Sequence, residues 1–261
     1  MVYNGLFKLD FENLRIASVL GRIGLAWSIA AVLYLNFGVK TRAAIAVAVL
    51  AGYGALSALV AAPDAAGAGP LTFEGNLAGY IDRQFLPGKL IYGSFDPEGL
   101  LSTVPAVVTA MLGMFTGEFV RRGDIRGGRK TLWMAAAAAA LLAAGLAFSG
   151  VLPVNKKLWS STFVCVVGAY SLGMFALFYY LIDVRGWRRW TLFFRVVGLN
   201  SITIYLAQRI VGFGRISDFF LGGIASKCPE AVAAVISSAG YVAVCWLFLY
   251  FLYRKNVFLK V

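Results

Sequence analysis

Residues 100–120 read LLSTVPAVVTAMLGMFTGEFV, a run of 21 residues in which Glu118 is the one charged side chain. A helix that crosses the hydrocarbon core of a membrane needs about 20 consecutive, mostly apolar residues. The run is therefore predicted to be a membrane-spanning helix.

Other parts of the chain have the same character. Six further apolar runs lie at about 17–36, 43–62, 132–151, 160–182, 192–212 and 232–252. The alternating ten-residue pattern of an outer-membrane barrel is not present. The sequence therefore predicts an all-α, polytopic integral membrane helix bundle with about seven transmembrane helices. We expect a single transmembrane domain over 1–261, with 63–99 as a long external loop.

Composition excludes most other classes of protein. The 261 residues are 60% hydrophobic and 14% charged, which is too apolar for a soluble domain to bury. Histidine is absent from these residues, so none of them supplies an imidazole base or metal ligand. The three cysteines form no disulfide framework, and we expect no metal.

The net charge of +12 indicates an orientation rather than nucleic-acid binding, because the basic residues lie mostly between apolar runs. Lys and Arg are concentrated in 37–42, 121–131, 183–191 and the tail from 253. Cytoplasmic loops carry an excess of Lys and Arg, so these segments and the C-terminus are predicted to be cytoplasmic. Membrane lipids with anionic headgroups are the expected contacts of these loops. No signal peptide precedes the first run, so an external residue 1 favours an internal start with earlier spans absent.

Several polar residues fall inside the apolar runs. A charged residue at the centre of a spanning helix costs about 2.5–3.5 kcal/mol, so it should face a partner or a wet cavity unless it snorkels to an interface. Arg22 and Arg195 are such residues. Asn200, Ser201, Thr203 and Gln208 form two polar stripes if 192–212 is one helix. Such a helix lines either a ligand cavity or a hydrogen-bonded bundle interior.

Two external segments carry candidate site residues. Asp96 and Glu98 flank Pro97, where Asp96 is either an acid of a site or the N-cap of the next helix. The turn 153–160 combines Asn155, Lys156 and Trp159, which suits a sugar or an ordinary interfacial belt.

Two other patterns have both a functional and a structural interpretation. The basic loop 121–130 suits the phosphates of a nucleotide or CoA, although topology alone explains such a loop. Gly113 and Gly117 form a GxxxG pattern that predicts close helix packing.

Taken together, these stretches resemble the heparan-alpha-glucosaminide N-acetyltransferase family, which includes bacterial relatives that acetylate amino sugars. The matching stretches run in family order over essentially the whole chain. They are VLGRIGLAW (19–27), NLAGYIDR (76–83), FDPEGLLSTVPAVVTAMLGMFTGE (95–118), PVNKKLWS (153–160), GLNSITIYLAQ (198–208) and YRKNVFLKV (253–261).

The resemblance implies acetyl transfer from cytosolic acetyl-CoA to the amine of a glucosamine-type sugar on the far side of a membrane, here the bacterial inner membrane. It assigns the catalytic histidine to a region ahead of residues 1–15. The chain is therefore expected to be the C-terminal part of a longer protein and to be inactive alone.

The candidate site residues fall into three groups. Asp96 and Glu98 match the DPEG motif of the family and are candidate catalytic bases from their chemistry, a role that the resemblance itself does not assign. The remaining residues are assigned to the sugar (Tyr80, Asp82, Asn155, Lys156 and Trp159) and to acetyl-CoA (Arg22, Arg195, Asn200 and Ser201).

Two other functions stay open at this stage. One is acyl transfer to another cell-envelope glycan, and the other is a transport or assembly subunit without chemistry. No clear internal repeat of the kind found in many transporters is visible. The formation of a homo-oligomer is left open.

Overall fold

The computed structural model of the chain describes residues 14–259, and within that range the regular elements are helices. Ten α-helices follow one another within residues 14–259. They are α1 (Val19–Asn36), α2 (Val39–Leu59), α3 (Leu77–Phe85), α4 (Leu100–Arg121), α5 (Gly127–Ala147), α6 (Ser161–Tyr179), α7 (Leu192–Leu199), α8 (Ser201–Ile210), α9 (Phe213–Ala225) and α10 (Glu230–Arg254).

In the part of the chain that the structure describes, six helices are long and apolar enough to cross a membrane, which confirms the predicted fold class. They are α1, α2, α4, α5, α10 and α6, the last extended to Val184 by a π-helical turn. Large apolar side chains of these helices, such as Trp27 of α1 and Leu59 of α2, lie exposed on the protein surface. A helix that is hydrophobic all round, with its outer face uncovered by protein, is typical of a membrane span.

The run 192–212 accounts for the difference between seven predicted spans and six. The prediction of one continuous helix is wrong, because the chain breaks at Asn200 (φ −128°, ψ 28°) between α7 and α8. Asn favours local hydrogen bonds over helix continuation, and Gly198 two residues earlier weakens the helix further. The predicted polar residues nevertheless stay together, because Ser201, Thr203 and Gln208 all lie on α8 and Asn200 is its N-cap. The Thr203 hydroxyl lies 3.3 Å from the Asn200 side-chain oxygen.

The chain forms two compact units that divide after Arg185. In the first unit α4 packs against α1, α2, α3 and α6, and α5 packs mainly against α6. Small residues such as Ala26, Ala30 and Ala46 lie in the core beside Val108 and Met111 of α4. Small side chains let helix backbones approach closely, which is how helices pack inside a membrane.

The predicted close packing at the GxxxG of α4 is wrong for the part of the chain that the structure describes. A Cβ added to Gly113 or Gly117 would meet no atom within 4 Å. The tight helix contact lies elsewhere, at Gly145 of α5, where a Cβ would come within 2.7 Å of Val166. The sequence motif therefore marks an open groove, and the close approach depends on a glycine outside the motif.

The second unit comprises α7 to α10. Helix α10 packs against α9 and α7, around a core of Ala207, Phe213 and Cys245. Phe193 of α7 stacks on Trp246 of α10, with ring centroids 5.8 Å apart.

Candidate functional site

The short helix α3 forms one side of a polar cluster in the segment between α2 and α4. Its N-cap is Asn76, whose side-chain oxygen accepts a hydrogen bond from the Gly79 amide at 2.6 Å. A Cβ on Gly79 would lie 2.8 Å from the Ser94 carbonyl oxygen, so glycine permits close contact with the following loop. This packing brings Asp82, one helical turn later, against the start of α4.

Asp82 joins this segment to the membrane-spanning helix. Its side chain is fully buried and accepts hydrogen bonds from the backbone amides of Asp96 (3.1 Å) and Leu100 (3.0 Å). Leu100 is the first residue of α4, so Asp82 satisfies one of its unpaired amides from a distant position in the sequence. A Cβ on Gly99 would overlap the Asp82 carboxylate, which explains the glycine.

Asp96 does not cap α4, so that interpretation is wrong. The helix begins at Leu100 with Gly99 as its N-cap, and no side-chain hydrogen bond is made by that cap. The Asp96 carboxylate instead accepts from the Glu98 amide at 3.0 Å and from the Ile91 amide at 3.3 Å. It is part of the loop, four residues before the first residue of the helix.

An ion-pair cluster centres on Arg15. Its guanidinium donates to both carboxylate oxygens of Asp96, at 2.7 and 2.6 Å, and also to Glu98. Burial opposes the charge on Asp96, but the Arg15 guanidinium and the two backbone amides outweigh it and hold the pKa of Asp96 below its usual range. The same carboxylates raise the pKa of Arg15. Asp96 is fully buried, whereas the Glu98 side chain is 17% exposed.

The net pKa shift of Asp82 is in the opposite direction, because burial there outweighs the hydrogen bonds. Desolvation raises the pKa of Asp82 to about 6, although its two backbone hydrogen bonds favour the ionised form. The pKa values of Asp82 and Asp96 are therefore shifted in opposite directions. Of the three carboxylate side chains in this cluster, that of Glu98 stays open to solvent.

Arg22 lies at the start of α1 and is buried in the same end of the bundle. It donates to the Ser102 hydroxyl of α4, and its guanidinium carbon lies 4.6 Å from the centroid of the Trp159 ring. Among the described residues its Nε atom has no hydrogen-bond partner. Arg22 is therefore a buried cation between α1, α4 and the 153–160 turn, and it does not snorkel.

The 153–160 turn is shaped by its own polar side chains. Asn155 accepts from the Lys157 amide at 2.9 Å, and Ser160 caps α6 by accepting from Phe163 at 3.2 Å. Trp159 adopts a left-handed backbone conformation (φ 52°), and its indole N–H donates to Thr109 of α4 at 3.3 Å. Non-glycine residues in this conformation often lie at functional sites, although such strain also occurs in structural turns. Lys156 is exposed.

The structure thus brings together part of the predicted site. Asp82, Asp96 and Glu98 lie in one hydrogen-bonded segment, and Arg22 contacts Trp159. Tyr80 is half-buried on α3, between Gly79 and Asp82.

The other predicted residues belong to the second unit. Asn200 is buried at the break between α7 and α8, Ser201 is exposed, and Arg195 lies 5.5 Å from the ring of Tyr253.

Sequence reasoning missed Arg15, Ser102 and Thr109 as members of the cluster. Arg15 precedes Asp96 by 81 residues and Ser102 follows Arg22 by 80, so no local spacing reveals either pair. One feature of the sequence could have indicated the second pair. Ser102 lies in the first turn of a predicted span, at the same side of the membrane as Arg22.

The long apolar helices define an integral membrane protein, and the polar cluster lies at one end of its first unit. No protein-family model matches the chain. Human heparan-alpha-glucosaminide N-acetyltransferase is 29% identical over 208 residues, which cover 72% of this chain and 30% of the human protein. The mouse protein of the same name is 27% identical over 205 residues, with the same coverage.

These relatives confirm the resemblance to the heparan-alpha-glucosaminide N-acetyltransferase family. The chain spans about 30% of the length of the curated relatives that it matches. Among residues 14–259, no three His, Cys, Asp or Glu side chains are grouped as metal ligands would be.

Proposed function

We propose that this chain forms part of a membrane acyltransferase that moves an acetyl group from cytosolic acetyl-CoA to the amine of a glucosamine-type sugar. The observation that carries the proposal is the cluster at one end of the first unit, where Glu98 lies beside Arg15 and the buried Arg22 contacts Trp159. Two relatives named as N-acetyltransferases of a glucosaminide support it.

The chemistry makes two demands on the protein. The sugar amine attacks the thioester carbonyl, so an N–C bond forms, the C–S bond breaks, and CoA leaves as the thiol after taking up the amine proton. The amine must first be deprotonated, because an ammonium group has no lone pair for attack. The developing oxyanion then needs hydrogen-bond donors.

Of the two candidate carboxylates, Glu98 is the better placed to meet the amine. Asp96 is fully buried and accepts hydrogen bonds from Arg15 and two backbone amides. Glu98 is partly exposed and carries the negative charge that attracts a sugar ammonium group before it loses its proton. In this proposal Glu98 binds the amine, and Asp96 holds Arg15 in place.

The sugar side consists of residues close to this end of the bundle. Trp159 offers an indole face, and Asn155 and Lys156 in the same turn offer an amide and an ammonium group to hydroxyls. Tyr80 and Asp82 complete the group, with Asp82 acting by holding the loop. Arg22 joins this side because it contacts Trp159.

The acetyl-CoA side is assigned to the second unit. Asn200 and Ser201 offer donors for the thioester oxyanion, and Arg195 offers a cation for a phosphate. The proposal places 63–99 outside a bacterial inner membrane and the C-terminal tail in the cytoplasm, since the loops richest in Lys and Arg then face the cytosol.

Binding tests the sugar side directly. The chain is placed in lipid nanodiscs, and the dissociation constant of radiolabelled glucosamine is measured for the wild type, Glu98→Gln and Glu74→Gln. Glu74 is an exposed acid of the same segment and serves as the matched control. Hydrogen bonds to charged groups contribute about 1.5–3 kcal/mol, so Glu98→Gln should weaken binding by at least tenfold. Equal affinities for all three proteins would contradict the assignment of Glu98.

Turnover distinguishes the proposed activity from its alternatives. The reading frame is expressed with any in-frame sequence that precedes residue 1, and membranes are supplied with labelled acetyl-CoA and a panel of acceptors. N-acetylglucosamine as the product supports the proposal. Acetylation of a different envelope glycan favours the other acyltransferase, and uptake of the sugar without acetylation favours a transporter.

A further inference from the structure

The first unit contains a second feature, a groove between α4, α5 and α6 with a volume of about 760 Å³. Its floor includes Gly113 and Gly117 of α4, and its walls include Trp133 of α5 and Phe175 of α6. Added Cβ atoms on the two glycines would meet nothing, so no other part of the described chain fills this space. Trp133 is 60% exposed and Phe175 is 44% exposed, so the groove opens sideways on the surface of the bundle.

The groove extends over about half the thickness of the membrane's hydrocarbon core. Along α4 it runs from Thr109 to Phe119, which at about 1.5 Å per residue is roughly 15 Å. The hydrocarbon core is about 30 Å thick, so this length corresponds to one leaflet. Beyond this level α5 and α6 close together at Gly145. A covering transmembrane helix would need a groove along the whole span, whereas a lipid chain needs one leaflet.

The end of the groove near residue 121 is basic. Arg129 and Trp133 are four residues apart on α5, so they lie on one face, and Trp133 lines the groove. Arg129 and Arg126 are both exposed, and the ion pairs found among residues 14–259 include neither. Trp is enriched at the level of lipid headgroups, so the two arginines lie where phosphates are found.

We propose that the groove binds one anionic phospholipid from the bilayer. Its phosphate contacts Arg129 and Arg126, its glycerol region lies beside Trp133, and one acyl chain follows Gly117 and Gly113 toward Thr109. The sideways opening favours a lipid over a water-soluble ligand, because a molecule already in the leaflet enters without crossing the loop. The headgroup end of this site lies away from the polar cluster, and the groove meets the cluster at Thr109, which accepts from Trp159.

Native mass spectrometry of the full chain, released from detergent with defined lipids, tests the site. The probes are phosphatidylglycerol and phosphatidylcholine with the same acyl chains. We expect one retained phosphatidylglycerol. A cation near the headgroups contributes about 1 kcal/mol, so Arg129→Gln should weaken its binding about fivefold, and Arg129→Lys should restore it. Binding of both lipids with equal affinity would overturn the proposal.

A second pair of variants tests the groove itself. Gly113→Leu places a side chain in the open space and should remove the retained lipid. Gly52→Leu serves as the control, since Gly52 is exposed on α2 and a Cβ there also meets nothing within 4 Å. Both variants should keep the wild-type circular dichroism spectrum.

Three results, obtained by native mass spectrometry, light scattering or acetyl-CoA binding, would refute the lipid site. The first is lipid retention that Gly113→Leu leaves unchanged. The second is a dimer, seen by light scattering, that only Gly113→Leu dissociates, because a second copy would then cover the groove. The third is loss of acetyl-CoA binding in Gly113→Leu with lipid retention intact, because the groove would then hold acetyl-CoA.

Discussion

Replacement of Asp96 by Asn tests whether the Arg15 cluster holds the loop to the bundle. The wild-type carboxylate accepts two bonds from Arg15, at 2.7 and 2.6 Å, and two from backbone amides. Asn keeps the shape but loses the charge, and it turns an NH₂ group toward one of these donors. Arg15 is then left with Glu98 as its acidic partner in this cluster.

The expected loss follows from burial. Removing one partner of a buried ion pair costs about 3–5 kcal/mol, because the other charge stays buried. The Arg15 side chain is 21% exposed and keeps its bond to Glu98, so we expect a smaller loss, about 2–3 kcal/mol. For a chain of this length that corresponds to a Tm lower by roughly 5–10 °C.

The matched control is another Arg–Asp pair of this chain. Arg122 donates to both oxygens of Asp124, at 3.1 and 2.6 Å, but both side chains are more than half exposed. Surface pairs of this kind contribute little, so Asp124→Asn should leave the Tm unchanged. Unfolding is followed by tryptophan fluorescence in detergent at pH 7. Equal Tm values for the two variants would show that the Arg15 pair does not hold the loop.

Three further predictions concern the same bundle. Asp82 has a folded-state pKa of about 6, above its ordinary value, so its contribution to stability is present in acid and is lost as the pH rises from about 4 to 6. Asp82→Asn should remove roughly 1–2 kcal/mol of this pH dependence, which is measured as Tm against pH. The same slope in the wild type and in Asp82→Asn would refute this prediction. Gly99→Ala should destabilise the protein by about 2–3 kcal/mol, because the added Cβ overlaps the Asp82 carboxylate. The control Gly52→Ala, on an exposed helix face, should be neutral or stabilising in the same thermal melts. An unchanged Tm for Gly99→Ala would contradict this packing. At the other end of the bundle Glu118 accepts hydrogen bonds from the buried Arg42 at 2.8 and 3.0 Å. Glu118→Gln should therefore lower the free energy of unfolding, measured with denaturant, by about 2–3 kcal/mol. An unchanged denaturation midpoint would show that this pair does not stabilise the fold.

The sequence predicted most of the spans but not their packing. The composition of 100–120 predicts a span, and the structure has a helix there at Leu100–Arg121. The run 192–212 was equally apolar, yet it breaks at Asn200, because a mean over 20 residues does not register one residue that favours a turn. Gly113 and Gly117 predicted a contact that the described chain does not make, since GxxxG specifies a smooth helix face and not its partner.

The candidate site was predicted residue by residue but not as an arrangement. The chemistry of Asp96, Glu98 and Trp159 and the resemblance to the family predict that these residues belong to the site. The sequence left Asp96 open between a helix cap and a site acid, and the structure assigns it to a buried ion pair with Arg15. The first amide of α4 donates its hydrogen bond to Asp82, a residue that the resemblance assigns to the sugar.

The sequence by itself determined that this is a helical membrane protein, because the preference of each run for lipid depends on that run alone. It also determined the resemblance to a family, because short motifs such as DPEG and PVNKKLWS are local strings. Only the tertiary structure decided which charges meet, since Arg15 and Asp96 are 81 residues apart and become neighbours when α1 packs on α4. The acidities of Asp82 and Asp96 were decided in the same way, because burial and hydrogen-bond partners, and not residue type, move their pKa values in opposite directions.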